Sequence, residues 1–150
     1  MRSVAALQAS QRVRFCRSAD GTRIAYAVHG QGPPLLLDAC WLSHLEYDWQ
    51  SPVWRHYLVE LGQVATVVRF DERGHGMSDR EVTDFTLERR IEDLEAVADD
   101  AGLDRFALIA MAQGGPVALH YAHRHPERVT RLVCASTYAA PSQHVTEDDR

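Results

Sequence analysis

The chain has 150 residues, 45% of them hydrophobic and 25% charged, with a formal net charge of -5. That size and mixture suit one globular domain or part of a larger one. The negative balance excludes a dedicated binder of nucleic-acid phosphates, which needs a basic face, and no apolar run approaches the length of a membrane span.

Residues 1–12 lack clear periodicity and are expected to form a flexible leader, and Met1 to Arg14 has no apolar stretch of the signal-peptide kind. Val13 to Arg17 reads as a first strand. Asp20-Gly21 is a hairpin turn signal, and Thr22 to His29 alternates into a second strand closed by Gly30-Gln31-Gly32-Pro33-Pro34. Leu35-Leu36-Leu37 is a short continuous apolar run, the pattern of a strand covered on both faces. Pro52 suits the first turn of a helix in which Val53, Trp54, Tyr57, Leu58 and Leu61 recur at helical spacing, with Gly62 as its stop.

Ala65 to Phe70 reads as another buried strand, followed by the polar loop Asp71-Glu72-Arg73-Gly74-His75-Gly76-Met77-Ser78-Asp79. Leu87, Ile91, Leu94, Val97, Ala98 and Ala101 mark one face of a second helix, with Gly102 as its cap. After a strand from Phe106, a helix runs from about Gly115 to Arg124 and breaks at Pro126. Val129 to Ala135 is a last buried strand, and residues 141–150 form a polar tail or the start of a lid. Strands alternating with helices imply an α/β fold: a mostly parallel sheet with helices on both faces, and antiparallel pairing where the opening hairpin lies.

One stretch carries the chemical question. Phe106-Ala107-Leu108-Ile109-Ala110-Met111-Ala112-Gln113-Gly114-Gly115-Pro116 reads as a buried strand, a tight turn and a helix start. That is the frame of the G-x-S-x-G nucleophile elbow, in which a sharp strand-to-helix turn lifts one side chain above the sheet. Ala110 and Gly114 stand at the two glycine positions and Ala112 at the serine. An alanine methyl has no lone pair with which to attack a carbonyl.

Together these segments resemble the α/β-hydrolase superfamily, from roughly Val13 to Ser136. The resemblance rests on Asp20-Gly21-Thr22-Arg23-Ile24-Ala25-Tyr26, on residues 70–79, and on Gln113-Gly114-Gly115-Pro116-Val117-Ala118-Leu119 with His125-Pro126-Glu127-Arg128-Val129. Ser43-His44-Leu45-Glu46-Tyr47-Asp48-Trp49 is similar to the bacterial branch found fused to nucleotide cyclase or DNA-binding regulatory domains. The resemblance makes residues 13–140 the N-terminal half of a hydrolase domain, its acid and histidine belonging to the second half of the fold. It implies attack on ester-like carbonyls by a serine that histidine deprotonates and an acid orients. It also implies an oxyanion hole from the N–H of Gln113 and a second donor after Leu37, where Ala39-Cys40 makes the N–H of Trp41 the candidate.

Other residues have plainer readings. Asp71-Glu72-Arg73 is expected to order turns rather than transfer protons. His120, His123 and His125 are too few converging ligands for a metal and suit a helix C-terminus. Cys40 reads as a small apolar turn residue rather than a substitute nucleophile, Trp54 as helix core and Trp41 as pocket lining. Three scattered cysteines (Cys16, Cys40, Cys134) form neither a disulfide framework nor a Cys-x-x-Cys pair, which favours reduced thiols in the cytoplasm. No cofactor or metal is expected, and no nucleic-acid or membrane partner. Three functions stay open: a small-molecule hydrolase, a small-molecule sensor without turnover, and a fragment that completes its sheet through residues 129–135 with another chain.

Overall fold

Six strands form one mixed sheet in a computed structural model that describes residues 10–38 and 43–140. In chain order the elements are β1 (Arg12–Arg17), β2 (Arg23–Gly30), β3 (Pro34–Leu37), α1 (Leu45–Gln50), α2 (Arg55–Val64), β4 (Thr66–Phe70), α3 (Leu87–Asp100), β5 (Phe106–Ala112), α4 (Gly114–Arg124) and β6 (Val129–Thr137). The sheet order is β1-β2-β4-β3-β5-β6. β1 and β2 are antiparallel, and β2 meets β4 antiparallel at Val28↔Val68. β4, β3, β5 and β6 are parallel, with Leu36 opposite both Val68 and Leu108. The α/β class and the antiparallel hairpin at one edge are those expected from the sequence.

Alternation along the strands divides the core into two layers. Ile24, Tyr26, Leu36, Val68, Phe70, Leu108 and Ala110 face the apolar stripes of α3 (Ile91, Leu94, Val97) and α4 (Val117, Ala118, Tyr121). On the opposite face Leu35, Leu37 and Val67 pack beneath Trp49, Leu58 and Leu61 of the first two helices. α3 ends in a Schellman motif: Gly102 takes φ 70°, its N–H reaches the Asp99 carbonyl at 3.0 Å, and Leu103 N–H reaches Ala98 at 2.8 Å.

The first helical region differs from the sequence reading. Residues 52–54 form a turn and the helix begins at Arg55, so Val53 and Trp54 are exposed and Trp54 is not helix core. Among the described residues the buried indole is Trp49, on the separate short helix α1. Gly62 does not stop α2, which continues to Val64. Its role is close approach: a Cβ there would lie 2.9 Å from the His29 ring and 3.3 Å from the Gly30 Cα. The last strand also continues past Ala135 to Thr137.

Candidate functional site

The parallel strands β4, β3, β5 and β6 deliver their C-terminal ends to one edge, where open α/β sheets place their ligands. β5 runs into α4 there with no intervening loop. Ala112 takes φ 48°, and Gln113 already has helical angles of φ -73° and ψ -4°. A residue with a Cβ in this left-handed region stores about 1–3 kcal/mol of strain. Gly114, Gly115 and Pro116 follow, all buried. The first N–H groups of a helix have no intrahelical acceptor, and the first turn of α4 holds no acidic residue. The turn therefore presents backbone donors beside a methyl group.

The loop after β4 is held by its own polar groups. Asp71 accepts from Met77 N–H at 2.8 Å and Leu45 N–H at 3.2 Å. Ser78 donates its hydroxyl to the Asp71 carbonyl at 2.7 Å and accepts from Ala25 N–H at 2.9 Å. Gly76 sits at φ 51°, where a Cβ would come within 2.1 Å of the Asp71 carboxylate. Arg73 is wholly buried and donates to Asp93 at 2.6 and 2.7 Å, to Asp20 at 2.9 Å and to the Asp84 carbonyl at 2.9 Å. Hydrogen bonding to Arg73 holds the Asp20 carboxyl well below the usual range, and hydrogen bonds to Asp93 above all, then to Asp20, raise Arg73 against its burial. For Asp93, burial pushes the carboxyl up against the opposing pull of Arg73. These groups order the loop.

Glu72 has a different position. It forms an ion pair with Arg90 of α3 and accepts from the Gln113 side-chain amide at 3.3 Å. Arg90 also donates to the Gln113 carbonyl at 3.3 Å. On the other side the Thr137 hydroxyl donates to the Ala112 carbonyl. Sequence reading missed Arg90 and Thr137. Arg90 sits on the polar side of an amphipathic helix like any solvated arginine, and Thr137 lies two residues beyond the expected end of its strand.

Ala112, Gln113, Gly114 and Gly115 thus share one turn, whereas Trp41 and Cys40 lie outside the described residues. Asp38, the residue that follows β3, is buried, and its N–H donates to the Ile109 carbonyl at 2.8 Å. His120 and His123 are exposed, and His125 lies 3.4 Å from Glu95. Among the described residues no group of three or more His, Cys, Asp or Glu side chains is placed to hold a metal ion. Two surface clefts, one lined by Arg17, Glu92, Asp99 and Asp100 and the other by Arg12, Arg14, Val28 and Ala101, do not include the turn. No described helix is long and apolar enough to cross a membrane.

Residues 33–150 match the family model described as alpha/beta hydrolase fold. The chain belongs to this family. It is 32% identical over 130 residues to a cis-3-alkyl-4-alkyloxetan-2-one decarboxylase of Shewanella oneidensis, covering 84% of this chain and 39% of the decarboxylase. It is 30% identical to a soluble epoxide hydrolase of a Corynebacterium species, covering 75% of this chain and 37% of that enzyme. The structure of a hydrolase from Pseudomonas aeruginosa superimposes with a TM-score of 0.75 at 29% identity, over 88% of this chain and 49% of that one. This alpha/beta hydrolase chain therefore spans about two fifths of the curated relatives and half of that structural neighbour.

Proposed function

We propose that the chain carries the nucleophile turn of a hydrolase lineage acting on ester-like or related small molecules, with Ala112 at the nucleophile position, and that it binds such molecules without turning them over. One observation carries the reading: at the β5–α4 junction the left-handed residue, φ 48°, is an alanine. That conformation supports the assignment of position 112 to the family's nucleophile, and an alanine side chain has no nucleophilic atom. The N–H of Gln113 remains available to hold a carbonyl or carboxylate oxygen, an interaction that needs no nucleophile. Relatives that include a decarboxylase and an epoxide hydrolase support small-molecule chemistry in the lineage without selecting a substrate. Ser43 to Trp49 supports descent from the branch fused to cyclase or DNA-binding regulatory domains, a setting that suits a sensor. We also propose a cytoplasmic location, which the odd and scattered cysteines Cys16, Cys40 and Cys134 support.

The test combines labelling with binding. Loss of the nucleophile alone costs on the order of a millionfold in turnover. A fluorophosphonate probe should leave the peptide around Ala112 unmodified, p-nitrophenyl acetate should give no burst, and butyrate should shift the Gln113 amide resonance saturably. Stoichiometric labelling or a burst defeats the claim of lost catalysis; an unmoved Gln113 amide defeats the claim of binding.

A second reading is favoured by β6. Among the described residues it pairs only with β5, and it is exposed along much of its length, with Val133 half exposed. Pairing of this edge with another chain would bury those groups.

A further inference from the structure

We propose that Thr137 is a positioning residue for the Gln113 N–H; this rests on the reading of that N–H as an oxygen-binding donor. The carbonyl of Ala112 and the N–H of Gln113 belong to one peptide group, which is planar and trans, so they point in opposite directions from a rigid plate. The Thr137 hydroxyl donates to that carbonyl. Holding the acceptor end of the plate aims its donor end.

The backbone around Thr137 is arranged for this contact. Pairing between β5 and β6 runs Met111↔Ala135 and then Ala112↔Thr137, with the register shift leaving Ser136 without a partner. Ser136 takes φ 49°, and among the described residues only Ser136 and Ala112 are non-glycine positions with positive φ. An extra residue in one strand re-aims the side chains around it. In a regular ladder Ser136 would face Ala112, and Thr137 would fall beyond the end of β5. The strain at Ser136 thus accompanies the delivery of the Thr137 hydroxyl to the turn.

Gly115 makes room for it. A Cβ at that position would stand 2.1 Å from the Thr137 Oγ1 and 2.6 Å from the Tyr138 carbonyl oxygen. From the opposite side Arg90 holds the Gln113 carbonyl, and Glu72 holds its side-chain amide. The two peptides that flank Gln113 are therefore anchored separately, one from β6 and one from α3. The donor faces its ligand already oriented, with little reorganisation on binding.

The test uses the whole chain with Thr137→Val, which removes the hydroxyl and keeps the shape, Thr137→Ser, which keeps the hydroxyl, and Thr137→Ala should the valine variant not fold. The orientation readout is the N–H residual dipolar coupling of Gln113; the binding readout is butyrate titration. In Thr137→Val and Thr137→Ala the coupling should depart from its wild-type value and butyrate should bind about fivefold to tenfold more weakly, the scale of one hydrogen bond. Thr137→Ser should restore both. A Gln113 coupling unchanged in both hydroxyl-free variants overturns the proposal, as does unchanged butyrate affinity where the wild type binds it. If the coupling moves but butyrate shifts Gln113 in no protein, the positioning by Thr137 stands and the oxygen-binding reading falls.

Discussion

Asp93→Ala should be the costliest single change outside the apolar core, and the contrast with Asp20→Ala makes that expectation sharp. Both carboxylates pair with Arg73, whose side chain has no exposure. Asp93 is 1% exposed and takes two guanidinium bonds at 2.6 and 2.7 Å, whereas Asp20 is 21% exposed with bonds at 2.9 and 3.5 Å. Removing one partner of a buried pair costs about 3–5 kcal/mol, because the charge left behind has no water to replace it. Asp93→Ala should fall in that range, a large part of the about 5–15 kcal/mol that stabilises a typical domain. Asp20→Ala should cost about 1 kcal/mol, since water reaches that side and partly screens the lost bond. Replacing the pair by Arg73→Met with Asp93→Leu should recover much of the loss, because the charge left without Arg73, on Asp20, reaches water and no fully buried charge stays unpaired. Urea unfolding followed by tryptophan fluorescence measures all three. Equal losses for the two aspartate variants, or a double variant worse than Asp93→Ala, would refute the account of loop order as paired buried charge.

Ala112→Gly should leave the urea midpoint unchanged or slightly raised, because relief at φ 48° offsets the greater freedom of glycine in the unfolded chain; a sharp fall would show that the turn is unstrained. Burial, helped by the Arg69 charge, holds His29 below its ordinary pKa, and its Nε2 donates to the Leu58 carbonyl at 2.8 Å. The unfolded chain then binds the proton first, so His29 contributes stability that is present above about pH 6.5 and lost as pH falls through its lowered native value. The pH dependence of the urea midpoint below that point should be shallower in His29→Leu, and identical slopes would remove the assignment. Self-association through β6 should appear in light scattering as mass that rises with concentration, and Val133→Lys should suppress it; a chain that stays monomeric at high concentration, with β6 amides protected from exchange, would contradict the edge.

The strands were legible where burial and pattern agree. Leu35-Leu36-Leu37 and Val67-Val68 are apolar on both sides because helices cover both faces of the sheet. The end of α2 was misread because Gly62 carries two meanings that look alike in sequence: an end to the helix, or a place where the helix touches a strand. Distance to His29 and Gly30 decides between them, and those residues are about thirty positions away. The turn at Ala112 was legible from its small residues. Its supports were not, since Arg90 and Thr137 reach it through the fold and neither belongs to a local pattern.

Those supports explain how an alanine keeps a strained backbone. The cost at Ala112 belongs to the Cβ, so serine and alanine bear it alike. What holds the residue there is the rest of the turn: the Thr137 hydroxyl on the Ala112 carbonyl, the absence of a Cβ at Gly115, and the Glu72–Arg90 pair gripping Gln113. None of these contacts involves the side chain at position 112. The geometry of the turn is thus independent of the group it displays, and under the proposed reading a hydroxyl exchanged for hydrogen there would leave the donor of Gln113 where it was. If position 112 is the nucleophile position, as proposed, a turn fixed from the outside would keep its shape without the nucleophile. For that reason, lost turnover and retained binding are compatible expectations for this chain.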